Sequence, residues 1–283
     1  MVELALTKVA SLEEAPLGIH SYRFLLESDQ AYFRAAAENQ NIYHGCFSFI
    51  EGLTTLPGAC VFHTVDQKKI HKLSKDNFQN WLLEVETLFE NRKAALSRIY
   101  LNCHSETQKE ILLNQGYREA LEVGFAASLS SLPKLTIDNN FIALNEYLQT
   151  KTLSAIHEIR ESCSSSPDGH TMHALEYSVL EQKKIEFGYM QPYVYLEKGK
   201  AIAIVNLAQK FGFVRFKNTM VHKEWQGQGV GKKMLLAGLA LSSKSEANYL
   251  GAYATKDNTA AMALYASVGL SRVGQQFEWS REL

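Results

Sequence analysis

Residues 219–233 read Thr-Met-Val-His-Lys-Glu-Trp-Gln-Gly-Gln-Gly-Val-Gly-Lys-Lys, and this composition suits a holder of phosphate. Gly227, Gly229 and Gly231 alternate between a strand expected over Gly212 to Val221 and an apolar helix expected over Lys232 to Ser243. Glycines let a backbone come close to a ligand and adopt positive φ. The first N–H groups of the helix have no acceptor within it, and its dipole favours negative charge there. The spacing is not Gly-x-x-x-x-Gly-Lys-Ser/Thr, which disfavours a P-loop. Nor is it Gly-x-Gly-x-x-Gly, because the third glycine follows two positions on instead of three.

A second cluster lies downstream. Asn248 to Thr255 reads as a short buried strand, and Asp257-Asn258 stands at the mouth of a helix over Thr259 to Val268 that Gly269 closes. Asp and Asn are natural N-caps and glycine a natural helix stop. Asn258, Ala261, Leu264 and Tyr265 are spaced along that helix.

Together the two clusters resemble the GCN5-related N-acetyltransferase (GNAT) superfamily. Gln226, Gly229 and Gly231 meet its Gln-x-x-Gly-x-Gly pyrophosphate loop. Asn258 to Gly269 is similar to its Asn-x-x-Ala-x-x-Leu-Tyr-x-x-x-Gly helix, with Leu270 where the family usually has an aromatic. The resemblance implies acetyl-CoA as cosubstrate. Backbone N–H groups of Gly227, Gln228, Gly229, Val230, Gly231 and Lys232, after Gln226, would grip the pyrophosphate. Thr219-Met220-Val221 resembles the family's bulged Leu-x-Val segment. By position, the Thr219 N–H would face the acetyl oxygen, and Val221 and Asn258 would touch the pantetheine arm. Tyr265 would be the general acid for the sulfur. The general base is not legible; His222, His173, Glu176 and Glu186 are all open.

The elements that position these residues recur. Asn77 to Ala95 reads as an amphipathic helix with Phe78, Trp81, Leu82, Val85, Leu88 and Phe89 on one face. Arg98 to Cys103 reads as a strand, Thr107 to Gln115 as a helix ending at Gly116, and 118–128 as the strand after it. Placing Gly116 on Gly269, an offset of 153, puts helix 77–95 on 230–248 and the strand near Ile99 close to Gly251, and strand, helix and strand agree without a gap. The chain therefore resembles a tandem GNAT of α/β (α+β) class: two domains, 1–135 and 136–283, each a mixed, mostly antiparallel sheet flanked by helices. At the same offset the glycine loop lands on Leu73 to Phe78, Tyr265 on Leu112 and Asn258 on Ser105. The first copy has no glycine there, and Asp76 would repel phosphate, so it is expected to hold no cofactor and to wall the acceptor pocket instead.

The join is expected near Ser130 to Asn140, where proline and polar residues cluster. Asn145 to Cys163 reads as a helix opening the second domain. Cys163 to Gly169 reads either as a mobile lid or as a plain surface loop. Tyr193 to Glu197 and Ala201 to Leu207 flank the hairpin turn Lys198-Gly199-Lys200, Ala208 to Phe211 reads as a further turn, and Gln275 to Trp279 reads as the last strand.

Across 283 residues the formal net charge is −1, which gives no electrostatic signal for nucleic acid or membrane. Cys46, Cys60, Cys103 and Cys163 are scattered with no Cys-x-x-Cys, as reduced thiols in a cytoplasm would be. Cys103-His104 and His170-x-x-His173 lack further partners at metal-site spacing, so no metal is expected. The N-terminus does not have the basic start and apolar core of a signal peptide, which points to a cytoplasmic protein. The activity this implies is acetyl transfer from acetyl-CoA to a primary amine of a small molecule by direct attack on the thioester. A protein or peptide acceptor and a non-catalytic acyl-CoA sensor stay open, as does the oligomeric state.

Overall fold

Polar caps and left-handed glycines cut this chain into its elements at the places their chemistry demands. The computed structural model describes residues 17–56, 58–102, 104–132, 135–163, 174–210 and 212–283. The first half runs α1 (Leu17–Arg34), β1 (Glu38–Ile42), β2 (Gly45–Phe49), β3 (Cys60–Thr64), α2 (Gln67–His71), α3 (Lys75–Asn91), β4 (Leu96–Tyr100), α4 (Glu106–Asn114) and β5 (Arg118–Ser128). The second adds β6 (Phe141–Ala143), α5 (Leu144–Tyr147), α6 (Ser154–Ser162), α7 (Ala174–Glu186), β7 (Met190–Glu197), β8 (Lys200–Lys210), β9 (Phe213–Val221), α8 (Val230–Ser242), β10 (Tyr249–Thr255), α9 (Thr259–Ser267) and β11 (Ser271–Glu282).

The caps explain several boundaries. Ser74 accepts from the Asn77 N–H and starts α3 two residues before the apolar periodicity does. Ser105 and Gln108 form a reciprocal capping box on α4. Gly116 and Gly269 stop α4 and α9 at φ of +83° and +92°. Lys198 and Gly199, both at positive φ, make the two-residue turn between β7 and β8.

All the described strands join one sheet in the order β1-β2-β3-β4-β11-β5-β10-β9-β8-β7-β6. Every neighbour is antiparallel except β3/β4 and β9/β10. A mostly antiparallel mixed sheet is what the pattern implied, but each half does not keep its own. The last strand of each half crosses over: β11 enters beside β4, and β5 enters beside β10. Period-2 alternation then sends side chains of each crossing strand into the other half's core. Trp279 is fully buried among Phe62, Trp81 and Phe89 of the first half, and Phe125 packs with Met234, Leu250 and Tyr265 of the second. On the opposite face, α1 covers the centre of the sheet, with Leu25 against Ala126 and Phe213.

Shifted by 153, α4 falls on 259–267, the bounds of α9, and β5 falls on 271–281, within β11. Two expectations need correcting. Asn145 to Cys163 is not one helix: α5 ends at Tyr147 and α6 begins at Ser154. The β-branched residues Thr150 and Thr152 lie in the break, where the Thr152 hydroxyl bonds Ser154. Ala208 does not turn; β8 pairs through Lys210. Nothing in the periodicity announced α1. Cys103, His170 and His173, most of the Cys163 to Gly169 segment, and Pro133 and Lys134 within the expected join lie outside the described residues. No described helix is long and apolar enough to cross a membrane. Among the described residues no group of His, Cys, Asp and Glu is placed to hold a metal ion.

Candidate active site

β9 and β10 run parallel but pair only from Phe213–Tyr249 to Arg215–Gly251, after which they part. Each then has backbone N–H and C=O groups facing a gap and open to a ligand. β9 is also bulged: its register to β8 shifts between Met220 and Lys217, and Asn218 sits at φ +51°. Thr219 lies inside the bulge at the edge of the gap.

The bulge is clamped from below. Glu181 on α7 is buried and accepts from the side-chain amides of Asn206 and Asn218 on one oxygen, while Arg160 on α6 pairs with the other. Asn218 suits the left-handed conformation better than most residues. Removing Glu181 leaves a nearly buried guanidinium and two amides without their acceptor. Glu181→Ala should therefore cost about 3–5 kcal/mol in urea unfolding. Glu181→Gln should cost less, because it keeps one acceptor oxygen.

Beyond β9 the chain makes a tight turn into α8. Gly227 and Gly229 have φ of +75° and +78°, and a Cβ on either would meet nothing within 4 Å. Gly229 is the N-cap of α8, and the first bond of that helix runs from Lys233 N to Gly229 O at 3.1 Å. The N–H groups of Val230, Gly231 and Lys232 therefore have no acceptor in the helix. Gly231 lets α8 and α9 approach; a Cβ there would lie 3.1 Å from Leu264. The side chains of Gln226 and Gln228 brace the loop: Gln226 donates to Val221 O at 2.9 Å and Gln228 to Glu224 O at 2.7 Å. What these two residues present outward is main chain. Val221 O also accepts from Cys163 Sγ at 3.3 Å.

Asn258 caps α9, its Oδ1 accepting from Ala261 N at 2.9 Å. Two turns on, Tyr265 is buried with its ring 5.8 Å from Phe125 of the crossing strand. Burial raises its pKa; the neighbouring Thr219 hydroxyl and the Arg215 charge act in the opposite direction. Thr219 and Tyr265, far apart in sequence, thus stand together at the gap. The Thr219 Oγ1 is buried and makes no full hydrogen bond among the described residues.

On the α1 face a cavity of about 550 Å³ opens beside the same gap. Glu122 of β5 lines it, in register with Thr255 of β10, and so does Lys217, two residues before Thr219. Burial and the Asp29 and Glu278 carboxylates push the Glu122 pKa up to about 7. Burial and the Arg215 charge bring Lys217 down to about 8. Behind them, Asp29 pairs with Arg215 and accepts from Gln276 at 2.9 Å, and Arg98 pairs with Glu278 at 2.9 Å. Neither Glu122 nor Lys217 was singled out in the sequence. No motif marks them, and Glu122 reaches the second half only by strand crossing. Of the residues considered as bases, His222 caps the turn after β9, and Glu186 is solvated beside Lys183. His173 and the side chain of Glu176 lie outside the described residues.

The matching place in the first half is built differently. Past the β3/β4 pairs, Thr64 Oγ1 donates to Tyr100 O at 2.7 Å and Asn102 N to Gln67 Oε1 at 3.1 Å. Side chains stitch together the ends that part in the second half, and Ser74 occupies the cap position above them.

Residues 153–270 match the model of a family described as acetyltransferase (GNAT) family. A search of curated proteins gave no match. Among solved structures, the chain is similar to a conserved protein of unknown function from Staphylococcus epidermidis, with 12% identity over 90% of this chain and 96% of that one and a TM-score of 0.64. A GCN5-related N-acetyltransferase from Kribbella flavida has 10% identity over 94% and 96% of the two chains, with a TM-score of 0.61. A tandem GNAT protein from the clavulanic acid biosynthesis pathway has 11% identity over 84% and 78%, with a TM-score of 0.50. At these identities the likeness is one of fold.

Proposed function

We propose that this chain, whose residues 153–270 match the GNAT acetyltransferase family model, moves the acetyl group of acetyl-CoA directly onto the primary amine of a small molecule. The observation that carries this reading is the parted β9/β10 pair, with a bare glycine turn and helix start on one face and a cavity on the other. The turn fits a diphosphate. Its free N–H groups from Gly227 to Lys232 converge with the positive end of α8, and open space surrounds the Cα atoms of Gly227 and Gly229. Val221 and Asn258 flank the path that a pantetheine arm would take through the gap.

Acetyl-CoA supplies an activated carbonyl; this chain's residues orient and discharge it. The Thr219 N–H, fixed by the bulge, points charge at the acetyl oxygen, and such a preplaced donor is worth about 3 kcal/mol. Tyr265 donates a proton to the leaving sulfur. The cavity volume lies within the roughly 300–1,000 Å³ of small-molecule sites, which favours a small acceptor over a peptide. The first half, with its strand ends stitched and no glycine turn, would be a duplicated copy that holds no acetyl-CoA. It contributes β5 and α1 to the other site.

Gly229→Trp tests the cofactor assignment. A side chain at φ +78° in that open space fills the place of the diphosphate. Affinity for CoA, read by calorimetry, should fall about 100-fold, or roughly 2.7 kcal/mol. The strain of a left-handed L-residue should cost only about 1–2 kcal/mol of stability. Retained CoA affinity in a folded variant would refute the role of the turn. Tight CoA binding by the native protein with no transfer to any amine would instead favour a sensor.

A further inference from the structure

The cavity on the α1 face carries two partly buried opposite charges, Lys217 and Glu122, that have no ion-pair partner among the described residues. Lys217 lies over the rings of Tyr32 and Phe33, its Nζ 4.5 and 5.4 Å from their centroids, and makes no ion pair among the described residues. Among the described residues Glu122 accepts from Gln276 alone, through Oε2. Of the other charges of the lining, Arg98 holds Glu278 and Lys109 holds Glu119 at 2.6 Å, while Lys256 and Asp257 are exposed to solvent. Glu122 and Lys217 feel each other's charge but stand beyond ion-pair distance, on strands that β10 separates. A half-buried ammonium and carboxylate held apart are costly unless something bridges them.

We propose that this cavity takes a zwitterionic acceptor, a small amine that carries its own carboxylate, with its ammonium on Glu122 and its carboxylate on Lys217. The inference rests on the acetyl-transfer reading for its purpose but on the cavity alone for its geometry. Thr255 brings Glu122 to the end of β10, and Lys217 adjoins the bulge, so a molecule between them lies beside the gap. The Glu122 pKa of about 7 suits it to take a proton from an ammonium at neutral pH. The protons balance as follows. One leaves the ammonium to Glu122 and passes to water. The free amine forms the N–C bond as the C–S bond breaks. Tyr265 gives its proton to the sulfur, and the second amine proton restores the phenol. The products are amide, thiol and one released proton. The site is composite: Glu122 comes from the first half and Lys217 from the second.

The test pairs each of the twenty protein amino acids, β-alanine and γ-aminobutyrate with its own methyl ester, using the full chain saturated with CoA. Calorimetry reads binding, and thiol release from acetyl-CoA reads transfer. At least one free acid should bind tenfold or more tighter than its ester. Lys217→Met should shrink that ratio below twofold, Lys217→Arg should preserve it, and CoA affinity should hold in both. If esters bind as well as acids throughout, or if the preference survives in Lys217→Met, the zwitterion assignment fails. Esters or plain amines acetylated as fast as the acids would sink this inference while sparing the acetyltransferase reading. Selective binding of an acid with no transfer to any amine would do the reverse.

Discussion

Residues 136–283 made without the first half should not give a monomer that melts cooperatively. The stretch holds the glycine turn, the bulge and Tyr265, yet it lacks the strand between β10 and β11. β5 forms seven register pairs with β10 and nine with β11, and its loss exposes both edges at once. Unpaired edges template aggregation. The same strand carries Val123 and Phe125 into the second core, each worth about 1.5–3 kcal/mol of burial. In return, β11 would lose the first core, where Trp279 is fully buried. Against a total stability of about 5–15 kcal/mol, these losses are decisive. Gel filtration should show aggregate and the dye ANS should bind strongly, whereas co-expression with 1–135 should restore a cooperative transition and CoA binding. A monodisperse, cooperatively melting 136–283 would mean that β11 can fold back into the place of β5, and that the crossing is not needed for the fold.

What could be read in the chain is what is local. The left-handed glycines, the Asn258 cap and the amphipathic face of α3 depend on residues within a turn or two of each other. The crossing strands do not: 118–128 and 271–282 have the same pattern whether they pair within a half or between halves. Glu122 was therefore invisible as a site residue, because its neighbours Thr255 and Gln276 are more than 130 positions away. Asn218 and Glu181 were missed for a related reason. A single Asn in a strand pattern does not announce a bulge, and its clamp comes from α7, a helix that precedes β7 to β9. α1 escaped because its polar positions, Asp29 above all, face a buried network and blur its amphipathic stripe.

Tyr265→Phe should lower kcat about 10²-fold or more while leaving CoA affinity within a factor of two or three. The phenol is buried against Phe125, so the ring keeps its packing when the oxygen is lost. Stability should change by less than about 1 kcal/mol, since among the described residues the hydroxyl makes only its approach to Thr219. The loss should fall on departure of the thiolate. A thiol ionises near 8.5 and an ordinary phenol near 10, so proton transfer to the sulfur is uphill. Burial makes it more so, while Thr219 and Arg215 ease it. A raised phenol pKa also fixes the sign of the pH response. Tyr265 stays protonated through and beyond the ordinary phenol range, so native kcat should show no alkaline fall below about pH 10 that the Phe variant lacks. A sulfur that no longer receives a proton depends on its own leaving ability. A more acidic thiol in a truncated thioester should therefore regain part of the lost rate in Tyr265→Phe. Turnover unchanged by the substitution, or a loss confined to KM, would remove the phenol from the chemistry and leave Thr219 and the bulge to carry it.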